Sequence, residues 1–145
     1  MKISIMGVAF DNVTMQEAVS RAEELLDAPG CAYCVTPNAE IVYESMQDSE
    51  LRSLLNGADL VLPDGSGVVL ASKLLKRPLK QKVAGVDFAA ELLSVLERRG
   101  LGLFLLGAKP GIAELAAERM RAQHPNLRIA GLKDGYFKDD ADAIE

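Results

Sequence analysis

The sequence has no tryptophan, one histidine and two cysteines among its 145 residues. A CxxC motif can bind metal or do redox chemistry, and Cys31 and Cys34 form one here. No second pair exists, His124 is the only imidazole, and no predicted helix begins between the two cysteines. We therefore expect both to be small core residues of a protein in a reducing compartment.

The chain also lacks a basic stripe and long apolar runs. Its net charge is -5 and its pI is near 5.0, so we expect no binding to nucleic acid. No apolar run approaches the ~20 residues that a membrane-spanning helix needs. The apolar segment at residues 1–6 is too short for a signal peptide. These absences predict a cytoplasmic protein whose contact with a membrane is at most peripheral.

What is present is a regular alternation of apolar strand-like segments and amphipathic helices. A chain of this length that is 49% hydrophobic is expected to fold as a single domain, residues 1–145. The alternation predicts an α/β fold, a Rossmann-like, mostly parallel sheet with helices on both faces. The predicted strands are residues 2–6, 31–36, 59–62, 101–106 and 127–130.

Local signals set the predicted helices. The capping box that begins at Thr14 predicts a helix over residues 15–26. Asn38 and Asp48 are the predicted caps of the next two helices. Residues 68–75 are apolar enough to predict a largely buried helix, and residues 86–99 follow as a longer one. Pro110 is expected near the first turn of a sixth helix, and residues 138–145 read as the start of another.

The stretch over residues 60–68 is the strongest candidate for chemistry. Its pattern predicts a buried strand, followed by Asp64 and Gly65 and then by an apolar helix. Ligands of open α/β sheets bind outside the carboxyl ends of the strands, where a carboxylate and a flexible glycine are well placed. Asp-Gly is also a common turn dipeptide, but no returning strand follows. Asp64 is therefore the candidate catalytic residue.

Thr36 and Asn38 follow the preceding predicted strand directly. Pro37 between them removes a backbone donor and favours an extended shape for Thr36. Both side chains therefore have an ordinary role as turn and helix cap. They also have a functional one, in which a hydroxyl and an amide are presented at the carboxyl end of a strand. From the local sequence the two roles are equally favoured.

Residues 107–111 form a glycine turn between a strand and a helix. Free N–H groups and the helix dipole at such a start favour phosphate. The segment is neither the GxGxxG fingerprint nor a P-loop, so it is a weak signal by itself. A basic cluster earlier in the chain is either a solvated face or a surface for a phosphorylated ligand; its members are Lys73, Lys76, Arg77 and Lys80, with Lys82 just beyond.

The chain resembles the WecG/TagA/CpsF family of glycosyltransferases, which act in bacterial cell-surface polymer synthesis. Several of its motifs occur in the same order and at the same spacing as in that family. The match extends from about Lys2 to the end of the chain. It is carried by T-P-N-A-E from Thr36, A-D-L-V from Ala58, D-G-S-G-V from Asp64, V-A-G-V-D from Val83, F-L-L-G-A-K-P-G from Phe104 and H-P-N-L from His124.

The resemblance implies an inverting transfer from a UDP-sugar to N-acetylglucosaminyl-diphospho-undecaprenol, as in wall teichoic acid synthesis. The sugar would be N-acetylmannosamine or a relative, and no bound metal would be needed. Asp64 matches the family's proposed general base, and Thr36 and Asn38 match residues that line its pocket. The expected substrate-binding residues around them are Gly65, Lys82, Gly107 and Lys109.

Two departures from the family pattern affect these expectations. Lys82 stands where family members usually have arginine, and lysine does not bind phosphate bidentately. Family members also continue through a P-K-Q-E motif into a segment rich in arginine and aromatics, linked to membrane contact. We therefore expect a peripheral protein of the inner face of the plasma membrane, attached through that segment. Without that segment, apolar surface would be left uncovered. We therefore also expect that the chain can form a homo-oligomer.

Two other classes of protein remain as alternatives. The first is a non-catalytic nucleotide-binding or regulatory α/β module, which a receiver-like acidic pocket would indicate. Asp11 and Asp64 fit that pocket only loosely. The second is a nicotinamide-dependent dehydrogenase, which is disfavoured because GxGxxG is missing after the first strand.

Overall fold

A computed structural model describes residues 1–138 of the chain. The described part contains six helices and six short strands, which confirms the predicted α/β class. The chain divides into two compact units, Met1–Ala89 and a second that begins at Ala90. The organisation of residues 1–145 as one domain stays a prediction. The helix expected at the end of the chain falls on residues 139–145, outside the described part.

The first unit contains most of the elements. They are β1 (Lys2–Ile5), β2 (Val8–Asp11), α1 (Met15–Asp27), β3 (Cys34–Val35), α2 (Ala39–Ser45), α3 (Ser49–Gly57), β4 (Leu60–Val61) and α4 (Ser66–Leu74). Helix α5 (Gly85–Arg99) begins in the first unit and ends in the second, where β5 (Gly102–Leu106), α6 (Ile112–Gln123) and β6 (Arg128–Lys133) follow. Within residues 1–138, no helix has both the length and the apolarity to cross a bilayer.

The chain begins with an antiparallel hairpin, β1–β2, where the sequence predicted a single strand over residues 2–6. The turn has only two residues, Met6 and Gly7, and both have positive φ, as tight hairpins require. Asn56 of α3 holds the hairpin, since its Oδ1 accepts from the Ala9 N–H at 2.8 Å and its Nδ2 donates to the Gly7 carbonyl at 2.9 Å. One amide side chain thus fixes the hairpin onto α3.

Strands β3 and β4 pair in parallel, as predicted, but they are only two residues long. The prediction that Cys31 and Cys34 are core residues is wrong, because both are exposed. Cys31 lies before the strand, and the apolar run over residues 31–36 enters the ladder only at Cys34 and Val35. Partial desolvation, with smaller effects of Asp59 and Asp11, raises the pKa of the Cys34 thiol, which disfavours the reactive thiolate.

The edge of β4 that faces away from β3 is covered by a side chain. The Val61 N–H donates to Asp11 Oδ2 at 2.9 Å, and Lys2 Nζ lies 3.5 Å from the same oxygen. Phe10, next to Asp11, is fully buried. Its neighbours in the core of this unit include Ile5, Val8, Val42, Leu55, Val61 and Val68.

Helix α4 departs from the predicted burial. Val68 is buried as expected, but Leu70 is 59% exposed and Leu74 is 76% exposed. The polar Ser72 takes a buried position, where its Oγ accepts from the Leu79 N–H at 3.1 Å. The helix therefore turns one apolar face to solvent.

The second unit is built on the parallel pair β5–β6, again as predicted. His124 ends α6, and its Nδ1 lies 3.0 Å from Glu97 Oε2. The Asn126 N–H donates to the other Glu97 oxygen at 2.8 Å. This bond, followed by the contact with His124, lowers the pKa of Glu97. His124 is the C-cap of α6, and these contacts tie the end of α6 to α5.

Candidate active site

Three helices of the first unit begin at the carboxyl ends of β3 and β4. Helix α2 follows β3, α4 follows β4, and α5 follows a loop whose Val83 N–H donates to the Pro63 carbonyl at 2.9 Å. The first turns of helices present free N–H groups and a positive dipole end. This end of the unit therefore suits a ligand that carries negative charge.

Asp64 stands where the chain leaves β4. The residues before it, Leu62 and Pro63, are fully buried, whereas Asp64 itself is half-buried. Its Oδ2 accepts a hydrogen bond from the Gly85 N–H, at the first residue of α5, at 3.1 Å. One carboxylate oxygen is thus fixed by the backbone. The other oxygen accepts no hydrogen bond from the described residues.

Thr36, which follows β3, packs against the same glycine, Gly85. A Cβ atom added at Gly85 would lie 2.8 Å from Thr36 Oγ1 and 3.1 Å from its Cγ2. Gly85 therefore lets the Thr36 hydroxyl and the Asp64 carboxylate approach one backbone position. The sequence reasoning missed this role of Gly85. The signal was a glycine in the first turn of a helix, although glycine is the poorest helix former after proline.

Asn38 and Gly65 form the neighbouring part of the site. The Asn38 Oδ1 accepts from the Ile41 N–H at 3.0 Å, which confirms the predicted cap of α2. A Cβ at Gly65 would lie 3.8 Å from the Asn38 Cβ. Gly65 has a φ of 83° and is the N-cap of α4, so no side chain caps this helix. The amide nitrogen of Asn38 and the N–H groups of α4 thus remain available to a ligand.

The structure therefore brings together four of the predicted site residues, namely Thr36, Asn38, Asp64 and Gly65. Lys82 is exposed and directly precedes Val83, in the loop that runs beside Pro63. The roles of all five in catalysis and substrate binding stay predictions.

The alanine variant of Gly85 tests this geometry. We expect Gly85→Ala to cost about 1–3 kcal/mol of stability, since the added methyl overpacks against Thr36. Displacing a reacting group by 1 Å costs about 10²-fold in rate, so kcat/KM should fall more than the loss of folded protein explains. Thermal unfolding and kcat/KM measured side by side check this. Val86→Ala, at the next residue and 77% exposed, is the control. Equal kcat/KM for the two variants would contradict the assigned role.

Gly107 and Lys109 lie in the second unit, between β5 and α6. Gly107 has a φ of 126°, and its N–H donates to the Lys133 carbonyl at 2.9 Å. Pro110, expected near the first turn of this helix, lies just outside it, because α6 begins at Ile112 with Gly111 as its N-cap. A cavity of about 220 Å³ opens here, with a lining of leucine, isoleucine, alanine and glycine. The proposed contact of Gly107 and Lys109 with substrate stays a prediction.

Histidine, cysteine, aspartate and glutamate side chains do not gather here as metal ligands. Among residues 1–138, no group of three or more of them is placed to hold a metal ion. The chemistry that the described site itself offers is that of one carboxylate, one hydroxyl, one amide and several backbone N–H groups.

Comparisons with known proteins agree with the motifs. The profile of the glycosyl transferase family WecG/TagA/CpsF matches residues 3–145. A protein of Bacillus spizizenii named N-acetylglucosaminyldiphosphoundecaprenol N-acetyl-beta-D-mannosaminyltransferase is 38% identical over 120 residues, which cover 83% of this chain and 47% of that protein.

Two further relatives carry the same name. The one from Bacillus subtilis strain 168 is 36% identical over 94% of this chain and 54% of its own length. The one from Staphylococcus aureus strain NCTC 8325 is 33% identical over 89% of this chain and 52% of its own length. The chain thus spans about half the length of the curated relatives it matches.

Proposed function

Since this chain belongs to the WecG/TagA/CpsF family of glycosyltransferases, we propose that it forms the core of an inverting transferase. The enzyme moves N-acetylmannosamine, or a closely related sugar, from a UDP-sugar to N-acetylglucosaminyl-diphospho-undecaprenol. The relatives are named for transfer to that acceptor. The observation that carries the proposal is the convergence of Asp64, Thr36 and Asn38 on the starts of α2, α4 and α5.

Asp64 acts as the general base in this proposal. Its Oδ2 is held by the Gly85 N–H, and its other oxygen takes the proton from the acceptor hydroxyl. The oxygen of that acceptor hydroxyl attacks the anomeric carbon as the bond from this carbon to the diphosphate of UDP breaks, so the configuration inverts in a single displacement. A base must lie within hydrogen-bond reach of the proton that it removes, and the partial exposure of Asp64 supports this role. Thr36 and Asn38 hold the donor sugar through its hydroxyl and acetamido groups.

The departing UDP needs positive charge and N–H donors. The start of α4 supplies N–H groups that have no side-chain cap, and Lys82 supplies a charge on the adjacent loop. Gly107 and Lys109 are proposed as further contacts of the donor. The reaction is proposed to proceed without a bound metal, so EDTA should leave turnover unchanged.

The acceptor is anchored in a bilayer through its undecaprenyl chain. We therefore place the enzyme at the inner face of the plasma membrane, as a peripheral protein. Attachment through a family C-terminal segment and assembly into a homo-oligomer are parts of the same proposal.

Thermal unfolding in the presence of ligands tests the proposal. UDP at about 100 times its Kd should add about 2.7 kcal/mol of stability and raise Tm by several degrees. NAD, and Mg²⁺ with beryllofluoride, should give no shift. A shift with NAD alone would favour a dehydrogenase, and one with beryllofluoride a receiver-like regulatory module. Lys82→Gln should weaken the UDP response, whereas Lys138→Gln, which makes the same charge change, should not.

A further inference from the structure

One segment of this acidic protein carries positive charge without any negative charge. Residues 65–86 contain five basic side chains and no acidic one, whereas the whole chain has a net charge of -5. One of the five, Lys80, is paired with Glu17 at 2.8 Å. Lys73, Lys76 and Arg77 are exposed and pair with no residue of the described chain. Three cations are thus left to face solvent at the end of α4.

Apolar side chains are exposed among these cations. Leu70, Lys73 and Leu74 stand at positions i, i+3 and i+4 of α4 and therefore share one face of the helix. Leu70 and Leu74 are 59% and 76% exposed, and Leu75 at the end of the helix is 51% exposed. The opposite face holds Val68 and Ser72, which are buried. We call the exposed leucines and the three free cations the α4 patch; it consists of Leu70, Lys73, Leu74, Leu75, Lys76 and Arg77.

We propose that the α4 patch docks on an anionic lipid surface. Exposed apolar residues interleaved with lysine and arginine are the pattern of surfaces that lie in the headgroup region of a bilayer. The leucines would enter the boundary of the acyl chains, and the cations would meet lipid phosphates.

The same chemistry disfavours a second copy of the chain as the occupant. A two-fold symmetric dimer brings the same patch from both subunits together. Here that would set three unpaired cations against three more, and like charges in an interface are repelled. An anionic bilayer complements both the charge and the apolar residues of the patch.

The inference rests on the proposed function and deepens it. Helix α4 follows its N-cap Gly65, which is next to Asp64, and carries the patch towards its other end. Nine residues of helix span about 14 Å. Docking of the patch would therefore keep the candidate base about one helix length from the surface in which the acceptor is anchored.

Vesicle flotation tests the docking. We expect the chain to float with phosphatidylcholine vesicles that contain phosphatidylglycerol, and to be released by high salt, which screens exposed charges. Each basic residue near an anionic surface is worth about fivefold in partitioning. Lys73→Gln with Arg77→Gln should therefore lower binding about 25-fold. Arg119→Gln with Arg121→Gln, exposed residues of α6, makes the same charge change and should leave binding unchanged.

A separate variant tests the contribution of the leucines of the α4 patch. Leu74→Gln should lower binding about tenfold, from the burial that one leucine loses, whereas Leu115→Gln, 53% exposed on α6, should have no effect. Equal binding to vesicles of phosphatidylcholine alone, or equal losses in a variant and its control, would overturn the proposal. The proposal would also be overturned if the chain formed a dimer that Leu74→Gln dissociates while flotation stays unchanged. Flotation does not require a UDP-sugar. A protein that floats with the vesicles but shows no shift in Tm with UDP would therefore reject the proposed transferase activity and leave the docking proposal standing.

Discussion

Asp64→Asn should lower turnover by about 10²–10⁴-fold, the usual contribution of a general base. Asparagine keeps an oxygen that can accept from the Gly85 N–H, so the fold around the start of α5 should persist. What it loses is the capacity to take a proton from the acceptor hydroxyl. Because the relatives are about twice as long, kcat is best measured on the full-length gene product.

The chain supplies a matched control for that variant at the other end of β4. Asp59 also accepts from one backbone N–H, that of Tyr33, at 3.0 Å, compared with 3.1 Å for Asp64 and Gly85. Asp59→Asn makes the same chemical change beside the same strand, and should leave kcat near that of the unaltered protein. UDP should still raise the Tm of both variants. Near-normal turnover of Asp64→Asn, or equal losses in the two variants, would remove Asp64 from the role of base.

Phe10→Ala should lower the free energy of unfolding by about 3–5 kcal/mol, as for other large-to-small changes at buried aromatics. Phe10 is fully buried at the centre of the first unit. Domains of this size have only about 5–15 kcal/mol of stability in total. Urea denaturation followed by circular dichroism measures the change.

Tyr43→Ala is the control for that truncation, since Tyr43 lies on α2 of the same unit and is 60% exposed. Surface substitutions usually change stability by less than about 0.5 kcal/mol. A Phe10→Ala variant no less stable than Tyr43→Ala would mean that β2 does not pack in the core as described.

Helix boundaries were the most predictable part of the fold, because caps are encoded locally. Thr14 and Glu17 form the predicted capping box, and Asn38 and Asp48 cap α2 and α3 as expected. Each of these side chains bonds to a backbone group two or three residues away. Hydrogen bonds between such near neighbours do not depend on how distant parts of the chain fold, so the local sequence is enough to predict them.

The hairpin was missed because its turn has an unusual sequence. Tight two-residue turns need positive φ at both positions and are normally marked by Asn-Gly or Asp-Gly. Met6 instead adopts a φ of 51° before Gly7, a conformation that a methionine rarely adopts. The contacts of Asn56, 47 and 49 residues away in sequence, hold the hairpin in place. No local pattern can show such a contact.

Burial was the least predictable property. Apolar runs predicted that the cysteines in and before β3 and the helix α4 would be buried, but Cys34, Leu70 and Leu74 are exposed. The identity of a residue sets its preference for burial, and the neighbours that the fold provides decide the outcome. In the same way, strand ends located Asp64 and Thr36, but the need for a bare Gly85 between them is a matter of three-dimensional packing.

The side chain of Asp11 also completes the backbone hydrogen bonding of β4. A buried N–H group without a partner costs free energy, because no water replaces the lost bond. Val61 is fully buried, and its N–H donates to Asp11 Oδ2. Strand β2 thus supplies β4 with a side-chain acceptor where no neighbouring strand of the described chain offers a backbone carbonyl.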